Sequence, residues 1–262
     1  MNKTAQAASE FYNTQYCGSR YAPVTTAEQH RFYPTVTAFV KEFGLSEKSC
    51  VEIGCGRGAF QNVVENYTGI DLADSVRSFL RKPFYQASAT SLPFPNNHFD
   101  AAWSYAVLEH VSDPEAALVE MRRVLKPGGL LLLHAAWQRR TWAAQGYPVR
   151  PYRDFSWSGK LVKASIPIRE SVFFRGLHIF PRRMARLAAC QISRPTRFRF
   201  KQIQPNYETY WMADSDAVSS MDPYEAILWF VSRGDVCVNY PTPRSQFFVR
   251  TGHLIFRIQK NA

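Results

Sequence analysis

The residues with the most specific chemical pattern lie in VEIGCGRGAF, residues 51–60, where three glycines fall within five positions. Glycine lets a backbone approach a ligand closely and adopts positive φ without steric cost. A glycine-rich turn between a strand and a helix is typical of sites for nucleotide-like ligands. An acid, Glu52, precedes the first glycine by two positions. The stretch predicts a turn beneath such a ligand without specifying which one.

A second acid, Asp71, ends the next apolar run, TGIDL. The two oxygens of a carboxylate suit the two adjacent hydroxyls of a ribose, and an acid at the end of the second strand is well placed to bind them. The alternative is that Asp71 caps a helix over the following ADSV.

The elements that must position these acids alternate between strands and helices from about residue 35 to 136. Strands are predicted over SCVEIGC, TGIDL, FYQASAT, DAAWSYAVL and LLLLHAAW, and helices over AFVKEFGL, GAFQNVVENY, ADSVRSFLR and DPEAALVEMRRVL. In the last of these, Asp113 is the expected N-cap and Pro114 the first helical residue. This alternation favours a parallel, doubly wound sheet.

Regular patterning returns at residue 222, where Asp222 and Pro223 are expected to begin the helix YEAILWFVSR. Two final strands are predicted over DVCVNY and HLIFRIQK. The link between them, PTPRSQ, is too short for a crossover helix, so we expect this pair to be antiparallel.

Between these regions, residues 137–221 are basic and aromatic. Residues 137–201 hold fifteen Lys and Arg, two acids and eleven aromatic residues, whereas the other 197 residues hold 17 basic and 19 acidic side chains. A helix with one apolar face is predicted over PRRMARLAACQI, opened by Pro181. Such a mixture suits nucleic acid, a phospholipid surface or a phosphorylated small molecule, and a helix packed on the core with solvated arginines is the alternative.

The overall composition is that of a globular protein, with 46% hydrophobic and 20% charged residues. The five cysteines form no CxxC pair, and their odd number predicts reduced thiols in the cytoplasm and no metal site. No apolar run is long enough for a signal peptide or a membrane span. We therefore expect a cytoplasmic protein, with any membrane contact peripheral.

Four stretches taken together point to a family: VEIGCGRG, GIDL, SLPFPNNHFDAAWSYAVLEHV and RRVLKPGGLLLL. In order and spacing the sequence resembles class I S-adenosylmethionine-dependent methyltransferases, most closely the branch of ubiquinone/menaquinone-type and small-molecule methyltransferases. The resemblance implies a Rossmann-like, doubly wound, mostly parallel seven-stranded sheet with an antiparallel last strand. It implies a cofactor-covering segment (1–34) and a core (35–136 and 222–262), but it does not cover the basic segment. Residues 137–221 are predicted to be an inserted substrate lid because they follow a strand whose carboxyl end faces the ligand crevice.

The resemblance also implies a set of residues that contact S-adenosylmethionine. The three glycines would pass beneath its amino-acid end, Glu52 would lie near its cationic group, Asp71 would hold the ribose and Leu72 the adenine. Where the family usually has Asp followed by Ala, this chain has Ser88, Ala89 and Thr90, which leaves adenine recognition to them. The complete set is Glu52, Gly54, Gly56, Gly58, Asp71, Leu72, Ser88, Ala89, Thr90, Ser104 and Tyr105, the last two bordering the transferred methyl group.

Catalytic and acceptor-side candidates are fewer. His110 is placed to take a proton from an acceptor hydroxyl, and its alternative role is to bind backbone at the start of the next helix. Glu109 is interpreted as structural. Tyr12, Tyr16, Tyr21 and Arg20 resemble the segment that covers the cofactor in relatives, although surface packing explains each equally well. Tyr16, Tyr21 and Trp137 are the predicted acceptor contacts.

The favoured hypothesis is therefore a methyltransferase that acts on a small-molecule, glycan or lipid-linked acceptor, with transfer to oxygen ahead of carbon and S-adenosylhomocysteine as product. Its predicted partners are that acceptor and an anionic membrane surface touched by residues 137–201, and the chain is expected to be a monomer or homodimer. An RNA methyltransferase ranks lower, because no RNA-binding module is appended. An NAD(P)-dependent oxidoreductase or a cofactor-binding scaffold is the remaining alternative.

Overall fold

A computed structural model describes residues 3–17, 26–192 and 194–260. Its nine strands are β1 (Ser49–Ile53), β2 (Asn66–Asp71), β3 (Phe84–Gln86), β4 (Phe99–Tyr105), β5 (Leu125–His134), β6 (Phe200–Gln202), β7 (Ser219–Met221), β8 (Val236–Cys237) and β9 (Leu254–Arg257). Seven of them form one sheet in the order β3-β2-β1-β4-β5-β9-β8, and β6 and β7 form a separate antiparallel ribbon. β1 to β5 are parallel, whereas β9 runs antiparallel to both β5 and β8. The predicted sheet, including its antiparallel last strand, is confirmed.

The helices are α1 (Lys3–Cys17), α2 (Tyr33–Glu42), α3 (Pro114–Val124), α4 (Trp157–Glu170), α5 (Val172–Ile192), α6 (Pro223–Val231) and α7 (Pro243–Phe247). Short 3-10 turns add to these, among them one over Asp74–Phe79. Asp113 caps α3 by accepting a hydrogen bond from Ala116 N at 3.1 Å. Asp222 caps α6 in the same way, through Tyr224 N at 2.9 Å. Both predicted helix starts are confirmed.

Two apolar cores lie on opposite faces of the sheet, because side chains alternate along each strand. Leu131 and Leu133 of β5 belong to one core, together with buried residues of α3 and α6. Leu130 and Leu132 belong to the other, together with buried residues of α1 and α2. The sheet is therefore covered on both faces, which leaves the carboxyl ends of its parallel strands as the place for a ligand.

One predicted helix is wrong, and a second is present but begins earlier than predicted. Residues 58–65 of GAFQNVVENY form turns and bends instead of a helix, and Gly58 has a φ of +69°. The Asn and β-branched Val residues of this stretch are weak helix formers. The second helix begins at Val172 rather than at Pro181, because the Ser171 hydroxyl accepts a hydrogen bond from Phe174 N at 3.2 Å and caps it earlier. Pro181 thus lies inside α5.

Helix α5 is tied to the core by buried charge. Arg183 and Arg186 are 4% and 6% exposed. The Arg183 guanidinium lies 2.5 Å from Asp222, and that of Arg186 lies 2.8 Å from Glu225 on α6. Two of the basic side chains in the segment predicted to contact an anionic partner therefore form ion pairs inside the protein. Within the described residues, no helix has the length and apolar content needed to cross a membrane.

Candidate active site

A cavity of about 910 Å³ lies at the carboxyl ends of β1, β2 and β4. Its volume is in the range of sites that enclose a small molecule or cofactor. Most of the predicted cofactor residues line it: Glu52, Gly54, Gly56, Gly58, Asp71, Leu72, Ser88, Ala89, Thr90 and Tyr105. The structure thus brings together residues that are spread over more than fifty positions of sequence.

The glycine turn is held in place by backbone hydrogen bonds. Gly54 N and Cys55 N both donate to Ile70 O at 2.8 Å, which fixes the turn against β2. Gly54 has a φ of +78°, and a Cβ at this position would lie 2.1 Å from Val107 Cγ2. A side chain at position 54 would therefore be strained and would clash, so glycine is required by the close approach of these two loops.

Asp71 is 6% exposed and accepts backbone hydrogen bonds on both oxygens. Gly56 N donates to Oδ2 at 2.8 Å, and Ala73 N donates to Oδ1 at 3.0 Å. Burial raises the pKa of this carboxyl, and the bonds from the backbone oppose that rise. Each carboxylate oxygen can accept a further bond, so Asp71 can still bind hydroxyls in the cavity while it holds the turn.

Glu52 is buried at the same cavity, with an exposed fraction of 3%. The Tyr67 hydroxyl donates to its Oε2 at 2.5 Å. Burial raises the pKa of Glu52 to about 8, although the bond from Tyr67 opposes the rise. At neutral pH Glu52 is therefore largely protonated, and a bound cation would favour its ionised form.

Ser88, Ala89 and Thr90 form another part of the wall, where the family usually has an acid. The hydroxyls of Ser88 and Thr90 lie 2.8 Å apart, and Thr90 N donates to Ser88 Oγ at 3.2 Å. Leu72 lines the cavity as well. Adenine binding by these residues stays a prediction.

Of the two residues predicted to border the methyl group at the end of β4, Tyr105 lines the cavity and Ser104 does not. Tyr105 lines the cavity, and its hydroxyl accepts a hydrogen bond from Arg31 Nε. Its ring stacks on Phe32 and His134 with centroids 4.4 Å and 5.0 Å apart. Ser104 does not line the cavity, because neighbouring residues of a strand face opposite sides of the sheet. Its hydroxyl is fully buried without a partner among the described residues.

His110 lines the cavity beside an acid that the sequence did not single out, Asp216. His110 Nδ1 lies 3.1 Å from Asp216 Oδ2, to which the Tyr12 hydroxyl donates at 2.9 Å. Burial disfavours the imidazolium, but the charge of Asp216, its hydrogen bond and the charges of Glu109 and Asp214 together outweigh burial and raise the pKa of His110 to about 9. At neutral pH His110 and Asp216 therefore form an ion pair.

Glu109 is fully buried, and its Oε1 accepts a hydrogen bond from Ala136 N at 3.0 Å. This bond fits the structural role predicted for it. Glu109, His110 and Asp214 each offer one ligand atom, and these atoms lie within 4.8 Å of one another. The three groups already bind protein partners, and the absence of a metal stays a prediction.

The acceptor-side candidates fall in different places. Tyr16 of α1 lines the 910 Å³ cavity together with Tyr12 and Ala8. Trp137 instead lines a neighbouring cavity, and its indole N–H donates to Gly252 O at 2.9 Å. Tyr21 and Arg20 lie outside the described residues.

The insertion, residues 137–221, contributes to both cavities. Tyr207, Tyr210, Asp214 and Asp216 line the larger one. The second cavity, of about 710 Å³, shares Arg31, Tyr105, Ala106 and Asp214 with the first. The two cavities therefore adjoin at Tyr105; whether the insertion covers an acceptor remains a prediction.

Comparison with known proteins agrees with this geometry. Residues 51–133 match the family model described as a methyltransferase domain. This part of the chain is therefore similar to a methyltransferase domain. All the predicted cofactor residues fall inside the matched range.

Relatives of this methyltransferase domain match only parts of the chain. The chain is 32% identical over 127 residues to an uncharacterized methyltransferase of Schizosaccharomyces pombe, a match that covers 39% of this chain and 46% of the relative. It is 54% identical over 50 residues to the ubiquinone/menaquinone biosynthesis C-methyltransferase UbiE of Shewanella frigidimarina, which covers 19% and 20%. The chain thus spans less than half the length of these curated relatives.

A solved structure with a similar methyltransferase domain is the N-methyltransferase NodS of Bradyrhizobium japonicum in complex with S-adenosyl-L-homocysteine. It is 18% identical, with a TM-score of 0.42, and the match covers 50% of this chain and 74% of that chain.

Proposed function

We propose that this protein is an S-adenosylmethionine-dependent methyltransferase that acts on a small-molecule, glycan or lipid-linked acceptor. The observation that carries the proposal is the 910 Å³ cavity, in which the glycine turn, Glu52 and Asp71 meet inside the matched domain. The residues fit the cofactor: Asp71 keeps capacity to accept hydroxyls, and Glu52 can ionise beside a cation. Gly54 serves the turn itself, because a Cβ there would clash with Val107. Ionised Glu52 would attract a cationic cofactor and would repel a pyrophosphate.

When bound, S-adenosylmethionine supplies a methyl group on a cationic sulfur. The chain then has to align the acceptor with that group and keep water out. Tyr105 stands where the two cavities adjoin, held by Arg31 and by stacking on Phe32. This arrangement supports a cofactor in the larger cavity and an acceptor in the smaller one.

Transfer to oxygen requires a group that accepts the hydroxyl proton, and we assign this role to His110. With a pKa of about 9 in the empty cavity, its imidazole is protonated at neutral pH and cannot serve as a base. A cation in the same cavity lowers that pKa, because two like charges disfavour each other. His110 would then be able to accept a proton, while Asp216 and Tyr12 hold the ring in place.

Ligand-induced stabilisation tests the cofactor assignment first. S-adenosylhomocysteine at a hundred times its dissociation constant should raise the free energy of unfolding by about 2.7 kcal/mol, whereas NAD(P) at the same concentration should not. Transfer of a labelled methyl group to fractionated cell extract, with and without nuclease, then identifies the acceptor class. Label in nuclease-sensitive material would contradict the proposal in favour of an RNA methyltransferase.

We further propose that α4 and α5 contact an anionic membrane surface. These helices expose eight large apolar side chains: Trp157, Leu161, Ile168, Val172, Phe173, Leu177, Phe180 and Met184. Trp157 and Phe173 are 76% and 79% exposed. Arg169 and Arg182 are exposed on the same helices. Aromatic and cationic side chains together suit the headgroup region of an anionic membrane.

Sedimentation with vesicles tests this contact. The protein should bind vesicles with anionic lipid at low salt, bind less at high salt, and bind little to neutral vesicles. Trp157→Ser with Phe173→Ser should weaken binding several-fold, since both side chains lose apolar area. Val119→Ser, at a 47% exposed position of α3, is the matched control. Equal binding by the double variant and the control variant would contradict a contact through α4 and α5.

A further inference from the structure

The 710 Å³ cavity is rich in arginine. Four arginines line it, Arg31, Arg139, Arg140 and Arg175, against two acids, Asp214 and Glu170. It also contains two histidines, His134 and His253. Burial and the charge of Arg31 lower the pKa of His134 to about 4, and burial lowers that of His253, so neither adds charge at neutral pH. The charged side chains that line the cavity therefore carry a net positive charge.

Three of the four arginines have protein partners. Arg139 lies 2.7 Å from Asp214, Arg31 donates to the Tyr105 hydroxyl, and Arg175 donates to Gln138 Oε1. Of the two acids, Asp214 pairs with Arg139, and Glu170 accepts a hydrogen bond from Trp142 Nε1 at 3.1 Å.

Arg140 differs from the other three. Within the part of the chain that the structure describes, its guanidinium makes no hydrogen bond or ion pair, and it lies 5.6 Å from the ring centroid of Trp142. Burial and the nearby charge of Arg175 lower its pKa. The charge of Glu170 opposes this decrease only in part, so the half-buried guanidinium has lost water without gaining a hydrogen-bonded opposite charge. An anion in the cavity would supply the missing charge.

Backbone strain is concentrated around the same cavity. Four non-glycine residues in the described ranges have positive φ, and three of them line it: Ala106 at 54°, Gln138 at 58° and Asp214 at 63°. Such conformations are costly and tend to persist at sites that bind a ligand or carry out chemistry. This observation is independent of the charge of the arginines, and it points to the same place.

We propose that this cavity is the acceptor pocket and that the acceptor carries a phosphate-type anionic group, bound by Arg140 and Arg175. A guanidinium can bind such a group through two parallel hydrogen bonds. Trp137 and Trp142, which also line the cavity, would contact the apolar part of the acceptor. The identity of the pocket as the acceptor site rests on the proposed methyltransferase function, whereas anion binding by Arg140 does not.

Titration calorimetry on the full chain tests anion binding, with pyrophosphate as one probe and dihexanoyl phosphatidic acid, a water-soluble lipid phosphate, as the other. At least one probe should bind saturably, and Arg140→Gln should weaken that binding by at least about tenfold, the loss expected for a charge-assisted hydrogen bond. The matched control is Arg153→Gln, an exposed arginine of the same insertion outside the cavity, which should leave the affinity unchanged.

The melting temperature separates binding from folding. Arg140→Gln should keep or raise the Tm without ligand, because the substitution removes an unpaired charge that Arg175 repels. A lower Tm would assign Arg140 a structural role and overturn the proposal, as would equal affinities in wild type and Arg140→Gln. If one probe binds more tightly than the other and Arg140→Gln weakens that binding, the proposal is supported. The probe that binds more tightly, the lipid phosphate or pyrophosphate, then identifies the source of the anionic group.

A titration of S-adenosylhomocysteine on the same samples distinguishes the two proposals. If S-adenosylhomocysteine binds but neither anionic probe does, the anion pocket is overturned and the methyltransferase function is kept. If S-adenosylhomocysteine fails to bind, the proposed function is overturned, and the response of Arg140→Gln still decides whether the cavity holds an anion.

Discussion

Asp71→Asn is expected to weaken the binding of S-adenosylhomocysteine by about ten- to a hundredfold. The carboxylate holds Gly56 N and Ala73 N and retains capacity for the ribose hydroxyls. Hydrogen bonds to a charged group contribute about 1.5–3 kcal/mol, and 1.4 kcal/mol corresponds to about a factor of ten in affinity. Calorimetric titration of wild type and variant measures the difference directly.

The matched control is Asp74→Asn, three positions along the chain. Asp74 is exposed, pairs with Arg77 at 2.9 Å and does not line the cavity. Its substitution should leave the affinity unchanged. Because Asn can accept from only one of the two backbone donors, Asp71→Asn should also lower the free energy of unfolding by about 1 kcal/mol. Unchanged affinity in Asp71→Asn would exclude Asp71 as the ribose ligand.

Glu52→Gln is expected to change how stability depends on pH. Burial raises the pKa of folded Glu52 to about 8, whereas the ordinary value is 4.5. Between these two values the folded state holds a proton that the unfolded state has released, so the free energy of unfolding falls as pH rises. This single group contributes a slope of up to about 1.4 kcal/mol per pH unit. Glu52→Gln should remove that slope, as urea denaturation from pH 5 to pH 8 would show.

The same acid should couple cofactor binding to pH. The ammonium group of S-adenosylhomocysteine favours ionised Glu52, so wild-type affinity should rise from pH 6 to pH 8, with a proton released on binding. Glu52→Gln should bind more weakly and lose this dependence. Glu47→Gln, at an exposed position with no side-chain hydrogen bond in the described structure, is the control and should behave as wild type. If the free energy of unfolding depends on pH in the same way in wild type and Glu52→Gln, the raised pKa assigned to Glu52 is wrong.

Local sequence signals predicted the sheet, and most of the residues predicted to bind the cofactor line one cavity. The strands follow from short apolar runs, and Asp113 and Asp222 mark helix starts through their own backbone bonds. The glycine turn was found because its residues are adjacent in sequence. The turns at 57–65 were missed, since the apolar positions there pack on the core without forming a helix.

The acceptor side could not be predicted in the same way. Asp216 meets His110, and Asp214 meets Arg139, only because the later part of the insertion folds back towards the sheet and towards the start of the insertion. No spacing in the sequence indicates these pairs. Arg140 is the clearest example of what the sequence does not reveal. Among the described residues its guanidinium has no hydrogen-bond or ion-pair partner, which distinguishes it from the other three arginines of the cavity, and this property depends only on the folded surroundings.

The buried ion pairs of α5 determine how this protein can be recombined with its relatives. Arg183 and Arg186 belong to the insertion, whereas Asp222 and Glu225 belong to the core. A chimera that received the insertion alone would place two guanidinium groups against a foreign interior, and breaking a buried pair costs about 3–5 kcal/mol. The insertion is therefore not a portable module. This segment could be exchanged between such chains only if the acids at positions 222 and 225 moved with it.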